Sequence, residues 1–281
     1  MLIWRLVSDA TRHFLAHDGT ALAGYIAFAM LLALFPFCIV AVMAASLVVG
    51  TDASLGAITR LVELLPPEFI STIEPVLLEV VGVNRGSVLT LSAAVALWSS
   101  SNGVEAFRTA FDRAYEVDDP RPWWLNRLQS LGLVVLGAIT FILISLAIVV
   151  APLGLSLARE YLQIETPGIV TLGRYVFGIL IFLGFLYVMH RLLPSDRVTP
   201  VWPGILATTL LFFIGATGFS LYLAYAPGFA VTYGTLAGVV VSMLFFYLSG
   251  AVIIFGAEVN ASLIRLGRGT RRRKRGRRKP G

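Results

Sequence analysis

The longest apolar pattern in this chain runs from Val198 to Ala257, sixty residues without one Asp, Glu, Lys, Arg or His, broken at Ala226-Pro227-Gly228. A membrane-spanning helix needs about 20 mostly apolar residues. Sixty with a central Pro-Gly turn therefore predict two spanning helices joined by a short loop. Uncharged runs at Gly19–Thr51, Gly86–Val104 and Leu128–Ala158 are each long enough to cross. The run from Pro167 to Met189 crosses as well if Arg174 sits at its end, where a long side chain reaches the headgroups. The pattern predicts an all-α polytopic membrane protein with six transmembrane helices, at about 21–49, 86–104, 129–157, 168–189, 201–225 and 234–257. Continuous apolar runs of this length disfavour a transmembrane barrel, whose strands alternate over roughly ten residues.

The polar segments between these runs carry the remaining organisation. Residues 1–18 place Ile3, Trp4, Val7, Thr11, Phe14 and Leu15 at helical spacing with Arg5, Asp9, Arg12 and His13 between them. That suits an amphipathic helix lying in the cytoplasmic interface, or equally a cytosolic extension of the first span. Residues 52–84 predict an external helical hairpin. Ile58, Leu61, Val62 and Leu65 form one apolar face, Pro66-Pro67 ends that helix, and Phe69, Ile70, Ile73, Val76, Leu77 and Val80 form a second. Residues 258–281 form a basic cytoplasmic tail, expected to be disordered, with ten Lys/Arg from Arg265 to Lys279. If the N-terminus is inside, the inner segments hold 18 Lys/Arg and the outer ones 4, which places both termini in the cytoplasm. The tail is expected to meet anionic phospholipid, with nucleic acid the minority reading.

Composition agrees with this assignment: 57% of the 281 residues are hydrophobic and 14% charged, which excludes an ordinary soluble domain. Candidate chemistry is sparse. His13 and His17, four apart and beside Asp18, have a spacing that could hold a metal on one helix face, but ordinary surface polarity is the stronger reading. Cys38 is the single cysteine and sits in an apolar run, so packing is its default role. No Gly-rich phosphate loop, Cys-x-x-Cys pair or Gly-x-Ser-x-Gly elbow occurs, and nothing has the form of an active site. No cofactor, metal or enzymatic activity is expected.

The most patterned polar stretch is Leu97–Tyr115, where a membrane helix turns polar. Trp98 marks an interface, Ser99, Ser101 and Asn102 offer hydroxyls and an amide, and Glu105, Arg108 and Asp112 share one helical face as i, i+3 and i, i+4 partners. This reads either as a helix leaving the bilayer with self-satisfied charges or as a polar wall facing a substrate. Near the chain's end, Glu258 falls about a turn inside the interface and should seek a donor, with Arg108, Arg113 and Arg191 as candidates. Gly234 and Gly238 form a small-xxx-small pair, and Gly178, Gly184, Gly215 and Gly218 thin neighbouring helices.

The Trp98–Tyr115 stretch, Ala27–Pro36 (Ala-Phe-Ala-Met-Leu-Leu-Ala-Leu-Phe-Pro), Tyr233-Gly234-Thr235-Leu236-Ala237-Gly238, Phe246–Gly250 and Gly256–Ala261 together resemble the YihY/BrkB family of bacterial inner-membrane proteins. The family tends to have Asn where Asp112 stands, which loosens the transfer at that position. The resemblance implies a six-helix inner-membrane protein. Some members of that family are linked to serum resistance and envelope integrity, others suspected of moving lipids or lipid-linked molecules. It adds Tyr233, Glu258 and Asn260 to the candidate substrate-binding residues. The expected function is thus a transporter or flippase-like handler of lipid, with a non-transporting scaffold for envelope enzymes as the alternative. The expected partners are membrane lipids, a second copy of the chain or an envelope protein, and no specific nucleic acid. The family's older ribonuclease label does not suit this chain, whose cytoplasmic segments offer neither a metal cluster nor an acid/base pair.

Overall fold

The structure, a computed structural model, describes residues 2–49, 85–145, 168–195, 199–225 and 236–276. Within them lie seven helices and no strand: α1 (Leu2–Ala16), α2 (Gly19–Val49), α3 (Arg85–Tyr115), α4 (Trp123–Ser145), α5 (Gly168–Leu192), α6 (Trp202–Tyr225) and α7 (Ala237–Gly276). The all-α expectation holds. Helices α2, α5 and α6 begin and end within a few residues of the uncharged runs that predict them. Two helices run on where a span was expected to stop. α3 continues through its polar stretch to Tyr115, and α7 continues past 257 to Gly276, so the tail expected to be disordered begins as helix. Arg and Lys are good helix formers, and a helix leaving a bilayer has no reason to end there. The hairpin at 52–84, Tyr233, Gly234 and residues 277–281 lie outside the described residues.

Four helical stretches are long and apolar enough to cross a membrane: Trp123–Ile144, Leu172–Leu192, Trp202–Tyr225 and Ala237–Gly267. The pair Trp4–Ala16 and Gly19–Leu34, bent by 66°, makes a fifth if taken as one span. α3 is not in this set, being Ser-rich and charged in its second half.

α1 and α2 meet at a bend of 66°, so α1 is no straight extension of the next helix. Asp18 makes the corner with φ 57°, a left-handed conformation that Asp tolerates better than most residues. Gly19 follows because there is no room for more: a Cβ there would come within 2.6 Å of the Phe14 ring and 2.7 Å of Phe14 O. α1 packs through Ala10 and Phe14 onto α7, Phe14 meeting Phe255 edge-on at 6.2 Å, while Trp4, Val7 and Leu15 stay exposed. At the other polar corner α3 ends in a Schellman cap. Glu116 takes φ 55°, its N–H donates to Arg113 O at 3.1 Å, and Val117 N–H donates to Asp112 O at 3.0 Å.

Helices adjacent in sequence pack side by side from α2 to α7, and α7 closes the ring against α2 while also touching α3. The shared core is built from Ala23 and Ile26 of α2, Ala106, Phe107, Ala110, Phe111 and Ala114 of α3, and Met189, Leu193, Ile254 and Ala257. Alanine at every turn of α3 lets these backbones approach closely, which is how helices associate where lipid is as apolar as the side chains. The tightest crossing is between α6 and α7, where Gly204 faces Gly256. Neither belongs to the glycines that the spacing singles out; Gly184 and Gly218 have nothing within 4 Å of a Cβ position.

Burial is uneven along the bundle. The first turns of α6 are buried at Gly204, Ile205 and Thr208, whereas no residue from 209 to 225 is buried. α5 is buried at Leu186, Met189 and His190 but exposes Leu172, Val176, Phe177 and Leu180 at its other end. The polar ends of α5 and α6 are thus the better buried ones, while their other halves turn mostly apolar side chains outward.

Candidate functional site

Polar groups meet in one layer at the tight end of the bundle, formed by the ends of α1, α3, α5 and α7 and the starts of α2, α4 and α6. Arg108 is its best-buried cation, with 3% of the residue exposed. The carboxylate of Glu105 accepts from Nη1 at 3.2 Å, and Nη2 donates to Asn126 O at 3.1 Å, Gln129 Oε1 at 3.3 Å and Ser130 Oγ at 3.2 Å. Ser130 in turn donates to Glu105 Oε1 at 2.6 Å. Burial holds the Arg108 guanidinium below its usual pKa, with the neighbouring Glu105 charge opposing the shift.

Asp112 does not join this set as its helical spacing suggests. Its Oδ1 instead accepts from both the backbone N–H and the hydroxyl of Ser195, at 2.9 and 2.8 Å, and ties α3 to the chain that follows α5. Burial raises the Asp112 pKa in spite of those bonds. The corresponding tie from the α3–α4 loop is Arg121, which donates to Asp119 Oδ1, Gln129 Oε1, Leu193 O and Ser195 Oγ. Burial alone would raise Asp119, but the bonds from Arg121 and Asn126 outweigh it and hold the carboxyl below its ordinary value.

We therefore expect Glu105→Ala and Arg108→Ala to be strongly non-additive, coupling by about 1 to 3 kcal/mol, while Asp112→Ala and Arg108→Ala couple weakly. A double-mutant cycle in thermal unfolding reads both; additive losses for the first pair would dissolve the Glu105–Arg108–Ser130 set.

Glu258, with 1% of its side chain exposed, is where the structure departs most from the sequence reading. None of Arg108, Arg113 and Arg191 is its donor. His17 Nδ1 lies 2.6 Å from Oε1 and Arg265 Nη2 lies 3.2 Å from Oε2. Arg265 also donates to Asp9 Oδ2 at 3.2 Å, Ala114 O at 3.1 Å and Ser262 Oγ at 3.0 Å, so one guanidinium joins α1, α3 and α7. Arg113 goes to Asp18 Oδ2 at 2.8 Å instead. The two histidines face structural partners: His13 Nδ1 meets Asp9 O at 2.8 Å and His17 meets Glu258. Among the described residues no group of three His, Cys, Asp or Glu side chains could hold a metal.

Asn260 is fully buried and splices α7 to the start of α6, accepting from Gly204 N–H at 2.7 Å and donating to Val201 O at 3.0 Å. Four buried atoms of this layer, Arg108 Nε, Tyr115 Oη, Asn126 Oδ1 and His190 Nε2, have no hydrogen-bond partner among the described residues.

Trp98, Ser99, Ser101 and Asn102 lie further along α3, away from these charges. Ser101 is buried and spends its hydroxyl on Trp98 O at 2.7 Å; Ser99 is partly exposed. Asn102 Oδ1 accepts from Arg127 Nη1 at 3.0 Å. The structure thus divides the sequence-derived candidates among separate contacts: Glu105 with Arg108, Asp112 with Ser195, Glu258 with His17 and Arg265, Asn260 with α6, and Trp98 and Asn102 with Arg127. Arg265 was legible, since it follows Glu258 by two helical turns on the same face. His17, Ser195 and Arg127 come from other helices and loops, and no local signal points to them.

The family described as virulence factor BrkB matches residues 10–280. Among individual proteins, the chain is 31% identical to the ribonuclease-like protein YfkH of Bacillus subtilis (strain 168) over 253 residues, covering 88% of this chain and 90% of that one. It is 29% identical over 261 residues to a UPF0761 membrane protein of Pseudoalteromonas translucida, covering 87% of this chain and 81% of the relative. No solved structure matches.

Proposed function

The chain belongs to the virulence factor BrkB family of membrane proteins, and from that premise we propose that it handles lipid or a lipid-linked substrate, as a transporter or flippase-like protein of the bacterial inner membrane. The observation that carries this reading is the uneven packing. A bundle sealed at one end by a hydrogen-bonded polar layer, whose α4, α5 and α6 expose Phe141, Ile142, Phe177, Leu180, Leu210 and Leu221 beyond it, offers an apolar wall to acyl chains and polar groups to a headgroup. Little charge lies within the predicted spans, which suits an amphiphile better than an ion coupled through a carboxylate within the span.

In this reading α2 and α3 complete six spans with the four apolar helices. The polar layer lies on the cytoplasmic side with both termini, an orientation that the Lys/Arg asymmetry of 18 to 4 supports. The basic tail then rests against anionic lipid. The chain acts without enzymatic chemistry. The ribonuclease-like name belongs to the Bacillus relative, and here Glu105, Asp112, Asp119 and Glu258 each accept hydrogen bonds from the protein's own donors rather than standing open to a phosphodiester.

Purified protein in proteoliposomes carrying a fluorescent phospholipid tests the proposal. The expected result is that dithionite bleaches well beyond the outer-leaflet half, with or without residues 268–281. Bleaching that stops where protein-free vesicles stop would overturn lipid movement and leave the scaffold reading. Orientation is read in the same variants: in a Cys38→Ser background, Ser71→Cys should react with an impermeant thiol reagent from outside intact cells and a tail cysteine should not.

A further inference from the structure

The flank of α4 carries a cation that no carboxylate answers. Arg127 lies in the second turn of α4, its Cζ 3.9 Å from the centroid of the Trp98 ring. Nη1 donates to Asn102 Oδ1 at 3.0 Å and Nη2 to Trp98 O at 3.3 Å, both neutral acceptors. Arg108, Arg113, Arg121 and Arg265 each pair with a carboxylate, whereas Arg127 pairs with none among the described residues. One N–H on each of its terminal nitrogens remains unspent, because each carries two and gives one to the protein.

The surroundings say what such a cation meets. α3 turns Phe107 and Phe111 toward the core it shares with α7, and Trp98 lies on the opposite face, 59% exposed. On α4, Trp123 and Trp124 are 73% and 61% exposed and Leu128 is 61% exposed. The guanidinium is therefore held at the outer seam between two helices, rimmed by three indoles and apolar surface. Indoles collect at the headgroup level of a bilayer, and an arginine at that depth seeks a phosphate. A free anion would leave the apolar rim uncovered; a phospholipid covers it with its acyl chains. The unanswered charge favours a headgroup with no cation of its own.

We propose that the outer α3–α4 seam binds the headgroup phosphate of an anionic phospholipid through Arg127, with Trp98 and Asn102 fixing the guanidinium. The site needs the chain to sit in a membrane but does not need it to move lipid, so vesicles that fail to scramble leave it standing.

The test uses the full-length protein in neutral detergent, titrated with phosphatidylglycerol, phosphatidylcholine or inorganic phosphate while thermal unfolding is followed. Phosphatidylglycerol should raise the wild-type Tm by about 2 to 4 °C more than phosphatidylcholine does. Arg127→Gln should lose at least half of that difference, the tail's contribution being common to both proteins. Inorganic phosphate at matched concentration should not reproduce it. An undiminished difference in Arg127→Gln would overturn the proposal, as would a full rise from inorganic phosphate, which would make the site one for a free anion. Should Arg127→Gln not fold, brominated lipids supply the reading: the quenching lost on Trp98→Phe should be larger with brominated phosphatidylglycerol than with brominated phosphatidylcholine, and equal losses would refute selectivity.

Discussion

Gly204→Ala should unfold this protein far more readily than its single added methyl suggests, costing about 3 kcal/mol or more. At the α6–α7 crossing a Cβ on Gly204 would fall onto Gly256 O and the Asn260 side-chain amide, and neither can yield cheaply. Gly256 O belongs to the α7 backbone. The Asn260 amide holds Gly204 N–H and Val201 O at once, so moving it breaks two buried hydrogen bonds. Gly256→Ala meets the same obstacle from the other side: its Cβ would fall onto Thr208 Oγ1 and come within 2.8 Å of Gly204 O. Gly218→Ala is the control. Its Cβ meets nothing within 4 Å, and replacing glycine in a helix interior gains about 0.5 to 1 kcal/mol. Retention of the monodisperse peak after heating in detergent should fall for Gly204→Ala and Gly256→Ala and hold or rise for Gly218→Ala. Equal retention of Gly204→Ala and Gly218→Ala would mean that the two helices do not cross this closely.

Why this crossing escapes a reading of the sequence, while the helices do not, is a matter of range. An uncharged run of twenty residues is a local property, so α2, α5 and α6 stand where Gly19–Thr51, Pro167–Met189 and the first half of Val198–Ala257 place them. Two glycines four apart are also local, and they mark a face able to pack closely. Whether anything packs there depends on a second helix. Gly204 and Gly256 are far apart in the chain, each isolated among larger residues, and become a pair only when α6 and α7 are set side by side.

The same limit explains the polar layer. Glu105 and Arg108 are one turn apart and pair as their spacing suggests. Asp112, one turn further on the same face, is taken by Ser195, 83 residues later in the chain. Glu258 shows both halves of this rule at once. Its need for a donor is legible from its place at the end of an uncharged run, and Arg265, two turns on, is within reach of that reasoning. His17 is not, because it reaches Glu258 through the left-handed corner at Asp18 that folds α1 back over α7. What the sequence conveys well is which residues must find partners; what it conveys poorly is who they are.

Arg265→Ala is expected to be among the most damaging single changes in the polar layer. It removes one of the two donors of a carboxylate that is 1% exposed, and it releases Asp9 and Ala114 O in the same step. Breaking a buried pair from one side costs about 3 to 5 kcal/mol. The Arg265 side chain is 21% exposed, so water recovers part of this and about 2 to 3 kcal/mol is the expected loss. Glu258→Gln keeps the shape and leaves Arg265 with Asp9 and Glu116, and should cost about 1 to 2 kcal/mol. Once Glu258 is Gln, removing Arg265 should hurt less than it does in the wild type, because no buried charge is stranded. Acid should erode the same joint. Burial alone would raise Asp9, but the Ser262 bond and the charges of His13 and Arg265 outweigh it and hold the carboxyl below its ordinary value. Folded Asp9 therefore binds fewer protons than unfolded Asp9, and the stability it adds is present at neutral pH and lost as pH falls below about 3.9. Arg265→Ala should flatten that acid limb as well as lower the plateau, since the bond it deletes is part of what depresses Asp9. A variant that melts within a degree of the wild type at pH 7, with its acid limb unchanged, would show that α1 is not held to α7 through this guanidinium.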